Sequence, residues 1–277
     1  MTAVSVIMAS YNYGDRIGEA IRSVQDQSFS DWELLAVDDG STDDSRDVIA
    51  AFGADDDRVR LLTHPDGGNR GLPETVALGV SRAAGKYVAF LECDDLWRPE
   101  NLARKVAILE AYPEVALVDD AVEFFGDPAR IARYDGYREL RENVFAKYRF
   151  PADIFSALLL ENFIPTFSCA VCRREALEKC EFDAYYPPHL DRSLWLQICR
   201  KHRFFHLSEP LTRWRIHARS YISRETDNWR RDRWRKMYHL LLPAYSGNRL
   251  HPGLYAAWLR MALGQLRLAW RRRRAGR

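Results

Sequence analysis

Short apolar runs break off into polar clusters at several points along the chain. VSVIM (4–8) runs into Ala9-Ser10-Tyr11-Asn12, ELLAV (33–37) into Asp38-Asp39-Gly40-Ser41, and YVAFL (87–91) into Glu92-Cys93-Asp94-Asp95. Each run has the length of a strand buried on both faces, and each cluster falls at its carboxyl end. Between them, apolar residues recur at helical spacing: Ile17, Ala20, Ile21 and Val24, then Val48, Ile49 and Phe52, then Val76 and Val80, then Leu102, Val106 and Leu109. Pro73 and Pro99 stand at two helix starts, and Ser41, with Asp44 three residues on, is placed to cap a third. VRLL (59–62), residues 86–91, VALV (115–118) and VEFF (122–125) complete the strand pattern. Strands alternating with helices predict an α/β fold, a mostly parallel sheet with helices on both faces.

The second half is less regular. From about 128 to 150 the periodicity dissolves into charged and aromatic residues, which predicts a mobile excursion. FSCAVCR (167–173) reads as a strand, 191–202 as a helix with Leu194, Trp195 and Ile198 inward, and 204–207 and 212–216 as final strands. Beyond about 224 two helical segments follow, roughly 226–242 and 253–272, separated by a Pro/Gly/Asn turn. The chain thus divides into a domain over 1–222 and a basic helical extension over 223–277.

Charge sharpens that division. Residues 1–199 hold 21 Lys/Arg against 35 Asp/Glu, whereas residues 200–277 hold 20 against 4, so the net charge of +2 hides an acidic body and a basic tail. Such a tail suits an anionic surface, or packs back on the body. Its last helix offers Leu254, Trp258, Met261, Leu266 and Trp270 to one side ahead of an Arg run, a composition fitted to an anionic bilayer interface or to an oligomer contact. The five cysteines lack a disulfide spacing, VSVIM leaves no room for a signal peptide, and no stretch reaches the length of an apolar span. These features predict a reducing, cytoplasmic setting, peripheral at most to the inner face of the membrane.

Carboxylates at the carboxyl ends of buried strands are costly unless they bind something, and in open α/β sheets the ligand crevice lies at those ends. Asp38 or Asp39 can accept hydrogen bonds from a base or ribose. Glu92, Asp94 and Asp95 can hold Mg2+ or Mn2+ with positions left for a diphosphate, Asp95 being also ordinary turn chemistry. Other chemistries fit poorly. Cys169-x-x-Cys172 lies inside an expected strand and lacks a second zinc-ligand pair. The first strand–helix turn has no GxGxxG, and there is no Walker loop. The basic–aromatic run 229–236 places Trp229 and Trp234 at one helical edge, which speaks against nucleic-acid stacking.

VSVIMASYN, SVQDQSFSDWELLAVDDGSTDDS and FLECDDLWRPENL together resemble the inverting family 2 glycosyltransferases with the GT-A fold, over about 3–220 and most strongly over 3–110. The resemblance implies transfer of a sugar from a nucleotide-sugar, UDP- or dTDP-linked, to an acceptor hydroxyl with Mn2+ or Mg2+. The acceptor expected is a glycan or lipid-linked glycan of surface polysaccharide synthesis. By the same resemblance Ala9 and Tyr11 meet the base, Asp39 contacts it, and Arg70 lies in a base-contacting loop. Glu92-Cys93-Asp94 takes the DxD position, with Asp94 the metal ligand and Glu92 reaching ribose or metal through water. Leu190-Asp191 followed by Arg192-Ser193-Leu194-Trp195-Leu196 matches the family's Glu-Asp…LWL segment, which makes Asp191 the base that deprotonates the acceptor. Trp214-Arg215-x-His217-x-x-Ser220 resembles the late segment that closes over the diphosphate, with Arg215 on phosphate and His217 on phosphate or metal. Two departures, Glu for Asp at 92 and Leu for Glu at 190, keep a second reading in view: a catalytically silent GT-A-like nucleotide-binding or scaffold protein.

Overall fold

The computed structural model describes residues 2–182 and 190–218. The extension over 223–277, its two helices and Ser220 lie outside the described residues. One eight-stranded mixed sheet runs in the order β3-β2-β1-β4-β7-β6-β8-β5. The strands are β1 (Val4–Ser10), β2 (Trp32–Asp38), β3 (Val59–Thr63), β4 (Tyr87–Phe90), β5 (Leu96–Trp97), β6 (Val115–Gly126), β7 (Val171–Arg173) and β8 (Arg203–Ile216). β1 to β4 are parallel neighbours, β7 runs antiparallel between β4 and β6, and β6 and β8 are parallel.

Helices cover both faces, so β1 and β2 are buried almost end to end. On one face Val4, Val6 and Met8 of β1 meet α1 (Gly14–Gln25) and α4 (Asn101–Ala111) through Ile17, Ile21, Leu102 and Leu109. On the other, Ile7, Val88 and Phe90 meet α3 (Leu72–Arg82) and the later helices through Val76, Val80, Leu194 and Trp195. Gly79 is what lets α3 sit so close, because a Cβ there would lie 2.6 Å from Ile7. α2 (Ser45–Asp55) buries Ile49, while Val48 and Phe52 pack at the margin of the α1 side.

Four sequence expectations change. Helix α2 begins at Ser45 rather than after Ser41, whose hydroxyl instead accepts the Asn12 N–H at 3.0 Å. Residues 115–118 and 122–125 are one strand, β6, and 204–207 and 212–216 are likewise one, β8. The polar residues that interrupt their apolar pattern are paired across the sheet: buried Asp120 accepts from Leu211 N and Thr212 Oγ1, both at 2.9 Å, and meets Lys105 Nζ at 2.7 Å. Residues 167–173 divide into a 3-10 turn, Phe167–Cys169, and β7. The 128–150 stretch is helical: a short helix Pro128–Ile131, a 3-10 turn Ala132–Tyr134 and a helix Asp135–Phe145. That last helix buries only Arg141 and Phe145, so charge and ring contacts hold it and no apolar stripe announces it. Arg141 pairs with Asp119 of β6 at 2.5 Å, and Tyr134 packs edge-on against Trp214 of β8.

Lys105 and Asp120 are both fully buried. Removing one member of such a pair leaves the other charge uncompensated. Lys105→Met is expected to cost about 3–5 kcal/mol in urea unfolding; a cost under about 1 kcal/mol would contradict the buried pairing.

Candidate active site

The exits of β1, β2 and β4 form one edge, with β1 in the middle. Asp39 N donates to Ser10 O at 2.8 Å, and the Cys93 thiol reaches Ala9 O at 3.1 Å, so the loops after β2 and β4 are both tied to the end of β1. Between β1 and α1, Asn12 adopts a left-handed φ of 60° and Tyr11 is left 46% exposed.

On the β2 side the two aspartates part company. Asp38 is fully buried and faces its own turn: one carboxylate oxygen accepts from Gly40 N and Ser41 N at 3.1 Å and from Arg46 Nε at 2.5 Å. It shapes the loop, a use that its position in the sequence did not separate from ligand binding. Asp39 reaches across instead, accepting from Arg70 N at 2.6 Å and Gly71 N at 2.9 Å, with His64 Nε2 at 3.3 Å. Arg70 therefore meets Asp39 through its backbone, while its exposed guanidinium pairs with Asp66. Gly40, at φ 74°, passes so near this loop that a Cβ would lie 2.8 Å from Asn69 N.

The β4 side carries most of the charge. Asp95 is fully buried; it accepts the Arg215 N–H at 2.9 Å on one oxygen and Ser168 Oγ at 2.6 Å on the other, which also lies 3.1 Å from Thr166 Oγ1. Glu92 accepts a short hydrogen bond from Thr166 Oγ1. Burial first, and Asp94 next, push the Glu92 carboxyl up, and burial followed by Asp94 and Glu92 does the same to Asp95. Cys93 turns inward, its thiol pushed up by burial, so its side chain serves the β1–β4 junction. Asp94 points the other way: its Oδ2 lies 2.7 Å from His217 Nε2. Arg215 Nε donates to Asp94 O at 2.7 Å, and its NH2 to Glu19 at 2.6 Å.

Asp191 stands in the first turn of the Leu190–Cys199 helix. Burial is the main cause of its carboxyl rising to about 6, opposed by the Arg192 backbone N–H and by Asn162, whose Nδ2 donates to Oδ2 at 3.1 Å. Glu92 feels the charge of both Asp94 and Asp191, which places the three carboxylates in one electrostatic neighbourhood. Asp94, Arg215 and His217 are thus in contact, and Asp191 stands near enough for its charge to reach Glu92 beside them. Asp39, Arg70 and Tyr11 lie on the far side of the β1 exit, and Asp38 and the Cys93 side chain face inward.

Several residues enter that the sequence pattern does not single out. The Tyr13 phenol is pushed up by burial and then by Asp94 and Glu92, so it stands neutral beside the acidic cluster. Arg16 NH1 lies 3.0 Å from the His217 ring nitrogens. Thr166, Ser168 and Asn162 belong to a stretch without periodicity. Only Tyr13 and Arg16 carried a signal, their closeness to the polar cluster that ends β1.

Among the described residues no group of three or more His, Cys, Asp or Glu is placed to hold a metal. Asp94 and His217 do fit one as a pair, because an oxygen and an imidazole nitrogen suit Mn2+, and such ions commonly complete their shell with phosphate oxygens and water. Among the described residues no helix is long and apolar enough to cross a membrane.

The profile of the family described as Glycosyl transferase family 2 matches residues 5–181. TuaG of Bacillus subtilis, a glycosyltransferase named for teichuronic acid biosynthesis, is 38% identical over 38% of this chain and 41% of its own length. WfgD of Escherichia coli, named a UDP-Glc:alpha-D-GlcNAc-diphosphoundecaprenol beta-1,3-glucosyltransferase, is 28% identical over 71% of this chain and 70% of its own. Among solved structures, TarS of S. aureus in complex with UDP superposes with a TM-score of 0.63 at 17% identity, covering 92% of this chain and 68% of that one. The mannosyltransferase PcManGT of Pyrobaculum calidifontis, in complex with GDP-Man and Mn2+, gives 0.59 at 20% identity over 95% and 75%. These likenesses establish the GT-A architecture.

The raised Asp191 carboxyl has a consequence for stability. Relative to the ordinary value of 3.8, a folded-state value of about 6 means that folding favours the protonated form. Its contribution is present below about pH 4 and is lost as pH rises through about 6. Asp191→Asn is therefore expected to be more stable than the native protein by about 2–3 kcal/mol near neutral pH and equal to it near pH 4. Urea unfolding at both pH values measures this; destabilisation at neutral pH would contradict the burial of a charged Asp191.

Proposed function

Because the chain belongs to glycosyltransferase family 2, we propose that it moves a sugar from a UDP- or dTDP-linked donor to an acceptor hydroxyl with inversion at the anomeric carbon, using Mn2+ or Mg2+. One observation carries the reading: Asp94 meets Arg215 and His217, far apart in sequence, and the Asp191 carboxyl, whose charge reaches Glu92 beside them, is raised to about 6. A carboxylate poised near the working pH is what a general base needs.

Residue roles follow from position. Ala9, Tyr11 and Asp39, with the 70–71 loop it holds, border the β1–β2 side and form the nucleotide end of the site. Asp38 holds the turn that carries Asp39, through Gly40 N and Ser41 N. Glu92 and the backbone at Cys93 face the ribose and sugar. Asp94 and His217 would hold the cation, which supplies charge neutralisation to the departing diphosphate. Arg215 sits 2.7 Å from the Asp94 carbonyl and brings a guanidinium to the same place, suited to phosphate oxygens. In the transfer the acceptor oxygen bonds to the anomeric carbon while the bond from that carbon to the diphosphate breaks. The acceptor proton passes to Asp191, and the nucleoside diphosphate leaves with the bonding electrons. The names of TuaG and WfgD support a surface polysaccharide or lipid-linked glycan as the acceptor class, which a basic extension at an anionic membrane surface would serve.

The test is nucleoside diphosphate release from a panel of UDP- and dTDP-sugars with Mn2+, by the full chain and by Asp191→Asn. Release by the native chain should rise through about pH 6 and fall about 100-fold or more in Asp191→Asn, with UDP affinity unchanged. UDP affinity without turnover in either protein would instead identify a silent nucleotide-binding scaffold, and full turnover in Asp191→Asn would remove the base assignment.

A further inference from the structure

The Asp135–Phe145 helix presents two polar side chains one turn apart, Tyr137 and Arg141, on one face. They grip two successive carbonyls of a neighbouring loop. Tyr137 Oη donates to Asn162 O at 3.2 Å, and Arg141 Nε donates to Phe163 O at 2.8 Å. The Arg141 NH2 is itself fixed by Asp119 Oδ2 at 2.5 Å and Asp120 O at 2.7 Å, and Asp119 is shared with His206 Nδ1 at 2.8 Å. A buried guanidinium is costly unless its donors are satisfied, and here they lock a helix to a loop and both to β6. What the loop delivers is the Asn162 amide. Its Oδ1 accepts from Ile164 N at 3.4 Å, which sets the Nδ2 toward Asp191 Oδ2 at 3.1 Å.

We infer that Asn162 is a positioning residue for Asp191: clamped through its backbone by Tyr137 and Arg141, its amide holds Oδ2 by hydrogen bond and so fixes the orientation of the carboxylate that takes the acceptor proton. The function of the clamp rests on Asp191 being the base; the hydrogen bond and its consequences do not. Three other groups face Asp191 electrostatically: Glu92 from the loop after β4, Tyr137 from the clamping helix, and Arg192 beside it. The Arg192 guanidinium is spent on Leu158 O and Leu159 O, at 2.9 and 3.2 Å. Among the described side chains, Asn162 is thus the neutral donor whose amide bonds the carboxylate directly.

The experiment is a 13C carboxyl titration of the full chain labelled at aspartate, with the Asp191 resonance assigned by its loss in Asp191→Asn. In Asn162→Ala the Asp191 midpoint is expected to rise by about one pH unit, since a hydrogen bond to the charged form has been removed. Tyr137→Phe, which keeps the amide and loosens its loop, should shift it the same way by less, and serves if Asn162→Ala does not fold. Sugar-nucleotide turnover in Asn162→Ala should fall about tenfold or more with donor KM unchanged. An unmoved midpoint in the folded variant, or in Tyr137→Phe where that is the one that folds, overturns the inference. The base assignment fails separately, by undiminished turnover in Asp191→Asn, and would leave the titration result standing.

Discussion

The site depends on Asp95, a carboxylate that touches no solvent. Its two oxygens collect the Arg215 backbone N–H and the Ser168 hydroxyl, with the Thr166 oxygen 3.1 Å away, and so join three segments far apart in the chain. The first is the turn after β4, which carries Glu92 and Asp94. The second is the end of β8, which carries Arg215 and His217. The third is the stretch before β7, which begins at the loop of Asn162. That junction sets the turn carrying Asp94 against the end of β8 carrying His217, while the Asn162 loop is held separately by Tyr137 and Arg141. Asp95 is held in a protonation-prone state by burial and by Asp94 and Glu92, which the Arg215 N–H and the Ser168 hydroxyl partly offset.

Below this junction the architecture is conventional physics. Apolar β1, β2 and β4 lie between two helical layers, and their carboxyl ends open where the β1 neighbours diverge, β2 to one side and β4 to the other. Above it the construction is polar. Buried pairs such as Lys105–Asp120 and Arg141–Asp119 add little net stability over apolar substitutes; what they add is geometry, because a charge that must find its partner tolerates few alternative positions.

That difference explains how far the sequence could be read. The first four strands and α1 to α4 announce themselves through period and breaks, and Ile17, Ile21, Val76, Val80, Leu102 and Leu109 are buried as their spacing predicts. Period fails where contacts are polar or long-range. Asp119 and Asp120 interrupt β6 only in the sequence, because Arg141, Lys105 and Thr212 satisfy them in the fold. The Asp135–Phe145 helix shows no stripe because its buried residues are one arginine and one phenylalanine. At the site, the carboxylates ending strands were legible because charge at a strand end is rare without purpose. Thr166 and Asn162 were not, since a neutral hydroxyl or amide gains meaning only from what it touches, and Tyr13 and Arg16 were marked only by their closeness to the cluster that ends β1. The separate uses of Asp38 and Asp39 likewise needed coordinates: adjacent on the chain, one faces its own turn and the other a loop 31 residues away.

In the proposed function the edge formed by β1, β2 and β4 is a single nucleotide-diphosphate site in which Asp94 acts with a divalent cation. Calorimetric titration of UDP into the full chain, with and without Mn2+, tests it most directly. Mn2+ is expected to tighten UDP binding by about tenfold or more, Asp94→Ala to abolish this increment, and the metal-independent part to survive the substitution. UDP binding that is indifferent to Mn2+ and to Asp94→Ala would contradict it.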